Sequence, residues 1–315
     1  MGARQNGSVQ KFTIISNGLS MIEMNARVTI GLCVKNGARV VKTAFDSISI
    51  QDYPHELLKL VIVDDCSSDN TLSLAMEFAQ KTDIKTFVIR SKGEGLGAAR
   101  QIAVDNAEGD YLLWVDDDLV LTTDYVKNQV KFMDENPNVG AAKGMHIAHS
   151  NESLIGILGF EDSASTKSLK QIGTGGAIFR LKAIKKIHGF DNRIKGAGED
   201  LDVSRRIREA GWTLASNSSA RVNQKDPPRT VKALWKSHFG YGCGNHFLYH
   251  KFKDRSLLLA YYPPIALLGG VKDSCKIYSK LNKKKVFLIP LYSFFISIAV
   301  TFGFIQAHID GYGHN

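Results

Sequence analysis

Over the first two-thirds of the chain, apolar residues fall into two alternating rhythms. VTIGLCV (28–34), LKLVIVDD (58–65), KTFVIRS (85–91) and DYLLWVDD (110–117) are short, β-rich, nearly continuous apolar runs, each closing on polar or glycine-rich residues. Such runs predict strands. Between them ARVVKTAFDSIS, NTLSLAMEFAQKT and LGAARQIAVDNA repeat apolar positions at helical spacing. Strand and helix in alternation predict an α/β domain with a mostly parallel sheet covered on both faces. In sheets of this kind ligands bind beyond the C-terminal strand ends, and this chain gathers its carboxylates there.

The pattern changes near the C-terminus. Residues 286–308, VFLIPLYSFFISIAVTFGFIQAH, contain no Lys, Arg, Asp or Glu over 23 positions. At about 1.5 Å per residue that length crosses a hydrocarbon core of about 30 Å. Lys280, Lys283, Lys284 and Lys285 precede it, and Asp310 and His314 are the only acidic or basic residues after it. Positive-inside logic then puts the N-terminal part at the cytoplasmic face of a cell membrane. The apolar run 257–271 is short and broken by Pro263-Pro264 and Gly269-Gly270, which reads as an interfacial or re-entrant segment. Residues 234–255 alternate aromatic and basic groups as a headgroup boundary requires. Residues 1–26 read as a loose tail without a secretory signal.

Composition narrows the class without choosing a function. The chain has 315 residues, 44% hydrophobic and 23% charged, which is ordinary globular usage and excludes a disordered or collagen-like whole. The net charge of +9 favours anionic partners. Its basic residues are spread through the chain and concentrate near the apolar C-terminus, so no nucleic-acid partner is expected. Cys33, Cys66, Cys243 and Cys275 form no CxxC pair, and reduced thiols are the plain expectation. His146 and His149 have no further Cys or His close by to complete a zinc site.

Three carboxylate clusters carry candidate chemistry. VIVDDCSSDNT (61–71) delivers Asp64 and Asp65 to a strand mouth, with Asp69 or Asn70 as the helix cap. Asp65 there is suited to accept hydrogen bonds from a base or ribose. YLLWVDDDLVL (111–121) ends a strand in Asp116, Asp117 and Asp118, whose mutual repulsion calls for a cation or a donor-rich ligand. Hard oxygen donors suit Mg²⁺ or Mn²⁺, so Asp116-x-Asp118 suggests a clamp for a metal diphosphate. GFDNRIKGAGEDLDVSRRIREAGW (189–212) opens a helix with Glu199-Asp200, placed to take a proton from a hydroxyl nucleophile. GTGGAIFR (173–180) permits close approach of a substrate to the backbone. SKGEGLGAAR (91–100) imitates a dinucleotide fingerprint, but follows the third strand instead of the first.

In this order VTIGLCVKN, VIVDDCSSDNT, GEGLGAARQ, WVDDD, GTGGAIFR and GEDLDVSRRIREAGW resemble the family 2 glycosyltransferases over roughly residues 27–240. The resemblance implies a GT-A fold and inverting transfer from a nucleotide-sugar. It implies that Cys33, Val34, Lys35, Asp65, Gly95, Asp116 and Asp117 bind the nucleotide-sugar and that Asp118, with Asp116, holds Mg²⁺ or Mn²⁺. Asp200 would be the general base supported by Glu199, and Gly175, Gly176 and Arg206 would serve the acceptor. Cys33 stands where the family often has Pro, and Gln224 falls near a frequent His. A QxxRW-like motif does not follow, which argues against a processive synthase.

The expected organisation is a tail (1–26), a GT-A catalytic domain (27–225, with a nucleotide half to 120 and an acceptor half from 121), a basic-aromatic interfacial segment (226–255) and a membrane-associated segment (256–315). A lipid-linked or glycan acceptor follows from the membrane link. The rival readings are transfer to a soluble acceptor and a noncatalytic membrane-bound subunit that retains the fold.

Overall fold

The computed structural model describes residues 10–14, 26–147, 169–224, 230–259, 262–281 and 284–313. The chain divides into two compact units: one built from residues up to 147, 164–195 and 200–225, the other from 148–163, 196–199 and the residues from 226 onward. His149 lies outside the described residues.

The first unit is organised by one sheet of strands β1 (Gln10–Ile14), β2 (Val28–Val34), β3 (Leu58–Asp64), β4 (Lys85–Arg90), β5 (Tyr111–Trp114), β6 (Leu119–Leu121), β7 (Val139–His146), β8 (Ala177–Arg180) and β9 (Thr213–Gln224). Their spatial order is β1-β4-β3-β2-β5-β8-β7-β9-β6. The strands β4, β3, β2 and β5 run parallel. Beyond β5 the sheet is mixed, because β8 runs antiparallel to both of its neighbours. Helices α1 (Val41–Ser49), α2 (Thr71–Lys81) and α3 (Leu96–Asp105) fill the gaps between the parallel strands, and α4 (Tyr125–Glu135), α5 (Leu181–Lys186) and α6 (Glu199–Glu209) follow.

The near-continuous apolar character of β3 has a direct cause, since every residue of it is buried. Leu60 and Ile62 face a core shared with Ile30, Leu32 and Phe45. Val61 and Val63 face a second core with Ala99, Leu112 and Trp114. After β2 the chain steps to β3 and β4 on one side, then crosses to β5 on the other side of β2. The register pairs Val34 with Asp64 and Gly31 with Trp114, so the polar residues after β2, β3 and β5 emerge at one edge, at the point where strand order reverses.

The N-terminal residues depart from the expected loose tail. Gln10–Ile14 pairs antiparallel with Lys85–Arg90 and covers an edge of backbone groups that would otherwise lack ladder partners. A five-residue strand is too short to announce itself by periodicity.

The second unit contains α7 (Val231–Phe252), α8 (Pro263–Leu281) and α9 (Ile289–Ile309), with one helical turn at Ser256–Leu259. Thr230 caps α7 by accepting from the Ala233 amide at 3.1 Å. Here the expectation that prolines and glycines interrupt 257–271 needs correction. The prolines begin α8, where a missing N–H costs little, and the helix continues through Gly269-Gly270 to Leu281. A side chain on Gly270 would meet Pro290 at 2.7 Å, so this glycine serves helix contact instead of breaking the helix. Glycines also set the approach of α7 and α9: Gly242 faces the Val300 carbonyl, Gly303 faces that of Phe239, and Cys243 donates to the Gly303 carbonyl at 3.3 Å. Among the described residues, Lys284–Ile309 is the one helix long and apolar enough to cross a membrane.

Gly31 is the point where β2 and β5 leave no space. A Cβ there would lie 2.7 Å and 2.9 Å from ring carbons of Trp114, which is fully buried. Gly31→Ala is expected to destabilise the protein by about 1–3 kcal/mol through overpacking, measured as a lower denaturant midpoint with unchanged slope.

Candidate active site

Cys33, Val34 and Lys35 leave β2, Asp65 follows β3, and Gly95 precedes α3. These five line a cavity of about 230 Å³ together with Leu96, Ala99 and Lys195. Asp65 is buried, and its two oxygens have different partners. Oδ1 accepts from the Ser91 hydroxyl at 2.5 Å, and Oδ2 lies 3.5 Å from the Lys35 ammonium. Ser91 in turn accepts from the Gly93 amide at 3.2 Å. Cys66 turns the chain away with a positive φ of 59°.

The loops beside the cavity are tied by short polar side chains. Ser67 accepts from the Asn36 amide at 2.9 Å, and Asn36 accepts from the Ser68 amide at 2.8 Å. Asp69, one residue before the cap position, accepts from the Thr71 amide at 3.0 Å and the Ala38 amide at 3.2 Å. Asn70 occupies the cap position but makes no capping bond with its side chain. The hydrogen bonds from Thr71 hold the Asp69 carboxyl below its usual range.

The Asp116–Asp118 triplet follows β5, each side chain partly exposed. Asp117 sits over Gly37, and a Cβ at Gly37 would strike its carboxylate and Val34. Burial, followed by the charges of Asp118 and Asp116, pushes the Asp117 carboxyl up to about 6. Three adjacent carboxylates with one held this high form an oxygen-donor set short of positive charge, which fits a hard divalent cation.

Arg100, which the sequence reading did not single out, supplies positive charge from the protein. Its guanidinium is buried, donates to Asp116 at 3.3 Å, and lies 5.7 Å from the Trp114 ring centre and 5.9 Å from that of Phe190. These two rings meet edge to face at 5.4 Å. A detectable signal existed: in LGAARQIAVD, Arg100 falls on the same helical face as Gly97, Ala103 and Val104, which are all buried.

Gly175 packs against Asp116, and Gly176, at φ 73°, donates its amide to the Trp114 carbonyl at 3.0 Å. The Gly176 carbonyl accepts from the Tyr125 hydroxyl and, at 3.2 Å, from Gln129. Nearby, Gly173 is flanked by the Lys143 ammonium and the Asp200 carboxylate. Lys143 is a second charged residue that the sequence reading passed over. Asp200 lies in the first turn of α6 and accepts from the Leu201 amide at 2.8 Å. Burial raises its carboxyl above the ordinary carboxylate range, opposed by that amide and by the charges of Arg100 and Lys143. Glu199 beside it is buried.

Arg206 is engaged elsewhere. Its Nε donates to Asp202 at 2.9 Å, Nη2 donates to the same carboxylate, and Nη1 donates to the Ile187 carbonyl at 2.6 Å. All three nitrogens thus have partners on α6 or the loop before it, and the residue reads as a brace for that helix.

The apparent dinucleotide fingerprint also has a structural explanation. Gly95, at φ 104°, and Gly97 press on backbone, where a Cβ at Gly97 would lie 2.6 Å from the Asp191 and Ile194 carbonyls. The Leu96 and Gly97 amides donate to the carbonyls of Lys195 and Ile194 at 3.3 Å each. The start of α3 therefore receives a protein loop where a dinucleotide fold would receive phosphate.

Two family profiles match this chain: "Glycosyl transferase family 2" over residues 29–172 and "Glycosyl transferase family group 2" over residues 111–305. The chain belongs to glycosyltransferase family 2. The family 2 chain is 31% identical over 101 residues to poly(ribitol-phosphate) beta-N-acetylglucosaminyltransferase TarS of Staphylococcus aureus, which covers 32% of this chain and 18% of that protein. It is 24% identical over 226 residues to poly-beta-1,6-N-acetyl-D-glucosamine synthase of Staphylococcus epidermidis, covering 68% of this chain and 53% of the relative. The matches thus span from about a fifth to about half of these relatives. In fold it resembles the mannosyltransferase PcManGT of Pyrobaculum calidifontis, solved with GDP-Man and Mn²⁺, at a TM-score of 0.67 and 17% identity over 91% of this chain and 88% of that one. The fold is thereby GT-A.

Asp200 generates a stability test. A carboxyl whose folded value is raised binds its proton more tightly folded than unfolded. Its contribution therefore declines as pH rises from the unfolded value, about 3.8, through the raised one. Asp200→Asn keeps an oxygen for the Leu201 amide and removes that decline. The variant should match wild type in acid and equal or exceed its stability at pH 7, read from urea midpoints across pH.

Proposed function

We propose that this chain is an inverting, metal-dependent glycosyltransferase that moves a sugar from a nucleoside-diphosphate donor to an acceptor hydroxyl or phosphate. The observation that carries the reading is the buried Asp65, lining a cavity at the same sheet edge from which Asp116–Asp118 emerge. The cavity accepts the nucleoside, with Asp65 held by Ser91 and Lys35 so that it accepts hydrogen bonds from the base or ribose. Asp118 and Asp116 hold Mg²⁺ or Mn²⁺, which when bound supplies positive charge to the leaving diphosphate. PcManGT, solved with GDP-Man and Mn²⁺, supports that choice of ligand class.

The chain's own residues carry the other half of the chemistry. Asp200 accepts the acceptor's proton as its oxygen attacks the anomeric carbon from the face opposite the departing diphosphate. Burial makes Asp200 a stronger base than a solvated carboxylate, while Arg100 and Lys143 favour its ionised form. Glu199 supports Asp200, and Gly175 and Gly176 shape the acceptor side by letting Asp116 and Tyr125 pack against the backbone.

We further propose that the acceptor is lipid-linked and met at the cytoplasmic face of a membrane. Leu291, Phe302, Ile305 and Ile309 on α9 and Leu268 and Val271 on α8 are exposed apolar side chains. An apolar surface of that kind favours lipid over water. The lysines before α9 are suited to anionic headgroups.

Two experiments test these readings. Calorimetry with UDP-, GDP- and dTDP-sugars, in Mn²⁺, Mg²⁺ or chelator, should single out one donor whose binding needs metal. Asp118→Ala should lose that metal dependence, and Asp200→Asn should bind donor normally while turnover falls by about 10²–10⁴. Wild-type turnover by Asp200→Asn would remove it from the base role. In flotation, the full chain should rise with anionic phosphatidylglycerol vesicles; a chain that stays in the dense fraction would exclude the membrane reading.

A further inference from the structure

Three imidazoles converge in the helical unit, where the last turn of α9 meets α7. His246 and His250 stand one turn apart on α7, and His308 projects from α9. One nitrogen from each lies within 4.8 Å of the other two. His246 is fully buried and His308 is exposed. The rings of His246 and His250 are 4.5 Å apart, and Phe304 meets His246 edge-on at 4.8 Å.

The partners of His246 define its chemistry. Its Nδ1 lies 2.6 Å from the Tyr312 carbonyl oxygen, and its Nε2 lies 3.3 Å from Nδ1 of His308. A carbonyl only accepts, so Nδ1 carries the proton, and in the neutral ring Nε2 turns a lone pair toward His308. This is how metal-binding histidines are prepared: the outer nitrogen is anchored on a backbone carbonyl, which sets the tautomer and aims the inner nitrogen. The 3.3 Å spacing also matches two nitrogens that each sit about 2.0–2.1 Å from one tetrahedral ion. The His250 nitrogen lies within 4.8 Å of both, so the three imidazoles already face a common point.

We propose that His246, His250 and His308 form a site for a borderline divalent transition ion, Zn²⁺ foremost, with a fourth position open to water. The donor set is all imidazole, which separates it from the carboxylate cluster at Asp116–Asp118, where hard ions belong. Its effect is to fasten the end of α9, and the turn at Tyr312, to α7.

The test uses the full-length protein in detergent, stripped with chelator and titrated with Co²⁺ as a visible probe. Wild type should take up one Co²⁺ with the intense visible absorption of a nitrogen-ligated four- or five-coordinate ion, and Zn²⁺ should bleach it. His308→Gln and His250→Gln, checked for folding by circular dichroism, should weaken this binding at least tenfold, whereas Asp118→Ala should leave the band intact. Absence of the band in folded wild type, full affinity in folded His308→Gln, or loss of the band in folded Asp118→Ala would each overturn the proposal.

Discussion

The buried guanidinium of Arg100 balances a sheet edge that is otherwise crowded with negative charge. Trp114 and Phe190 enclose it, and Asp116 accepts from it. Its field also reaches Asp200, the carboxylate whose proton affinity burial has raised. Burying a lone cation is costly, and so is crowding carboxylates, but each offsets the other when held in contact. The geometry of the site therefore depends on α3, packed on β2 and β3, holding Arg100 against Trp114 and Phe190 closely enough to keep it dry.

That closeness comes from glycine. Gly31 lets β2 lie directly against Trp114, and Gly95 and Gly97 let the loop ending at Lys195 rest on the start of α3. Lys195 reaches the cavity because of that second contact. A run of glycines resembling a dinucleotide fingerprint is thus used to pack protein on protein. The same sequence grammar serves a different end because the helix amides are already donating to backbone carbonyls.

The helical unit follows a different logic. Close approach of α7 and α9 at Gly242 and Gly303 permits backbone contact without large side chains, a mode suited to surroundings as apolar as the helices themselves. Set into that contact is a polar cluster centred on His246, whose burial is sustained by the Tyr312 carbonyl. Leucines and phenylalanines meanwhile remain exposed on α8 and α9. The unit is polar at a chosen point inside and apolar over much of its outside.

Much of the first unit was legible from the chain alone. Strands β2 to β5 and helices α1 to α3 announce themselves because parallel strands buried on both faces leave long apolar runs, and because one helix face repeats locally. Asp65 stands out at a strand end, the family resemblance adds Cys33, Val34, Lys35 and Gly95, and the fold gathers all five around one cavity. The remainder depended on partners distant in sequence. The edge strand Gln10–Ile14 exists through pairing with β4, Arg206 is claimed by the Ile187 carbonyl as well as by Asp202 one turn back, and Lys143 meets Asp200 across Gly173. His308 stands about sixty residues beyond His246 and His250 and joins them only when α9 lies along α7. Local periodicity determines which elements form and which residues end them, because those preferences act between near neighbours. Which charges face one another is decided by packing, because electrostatic partnership depends on distance in space and on the exclusion of water.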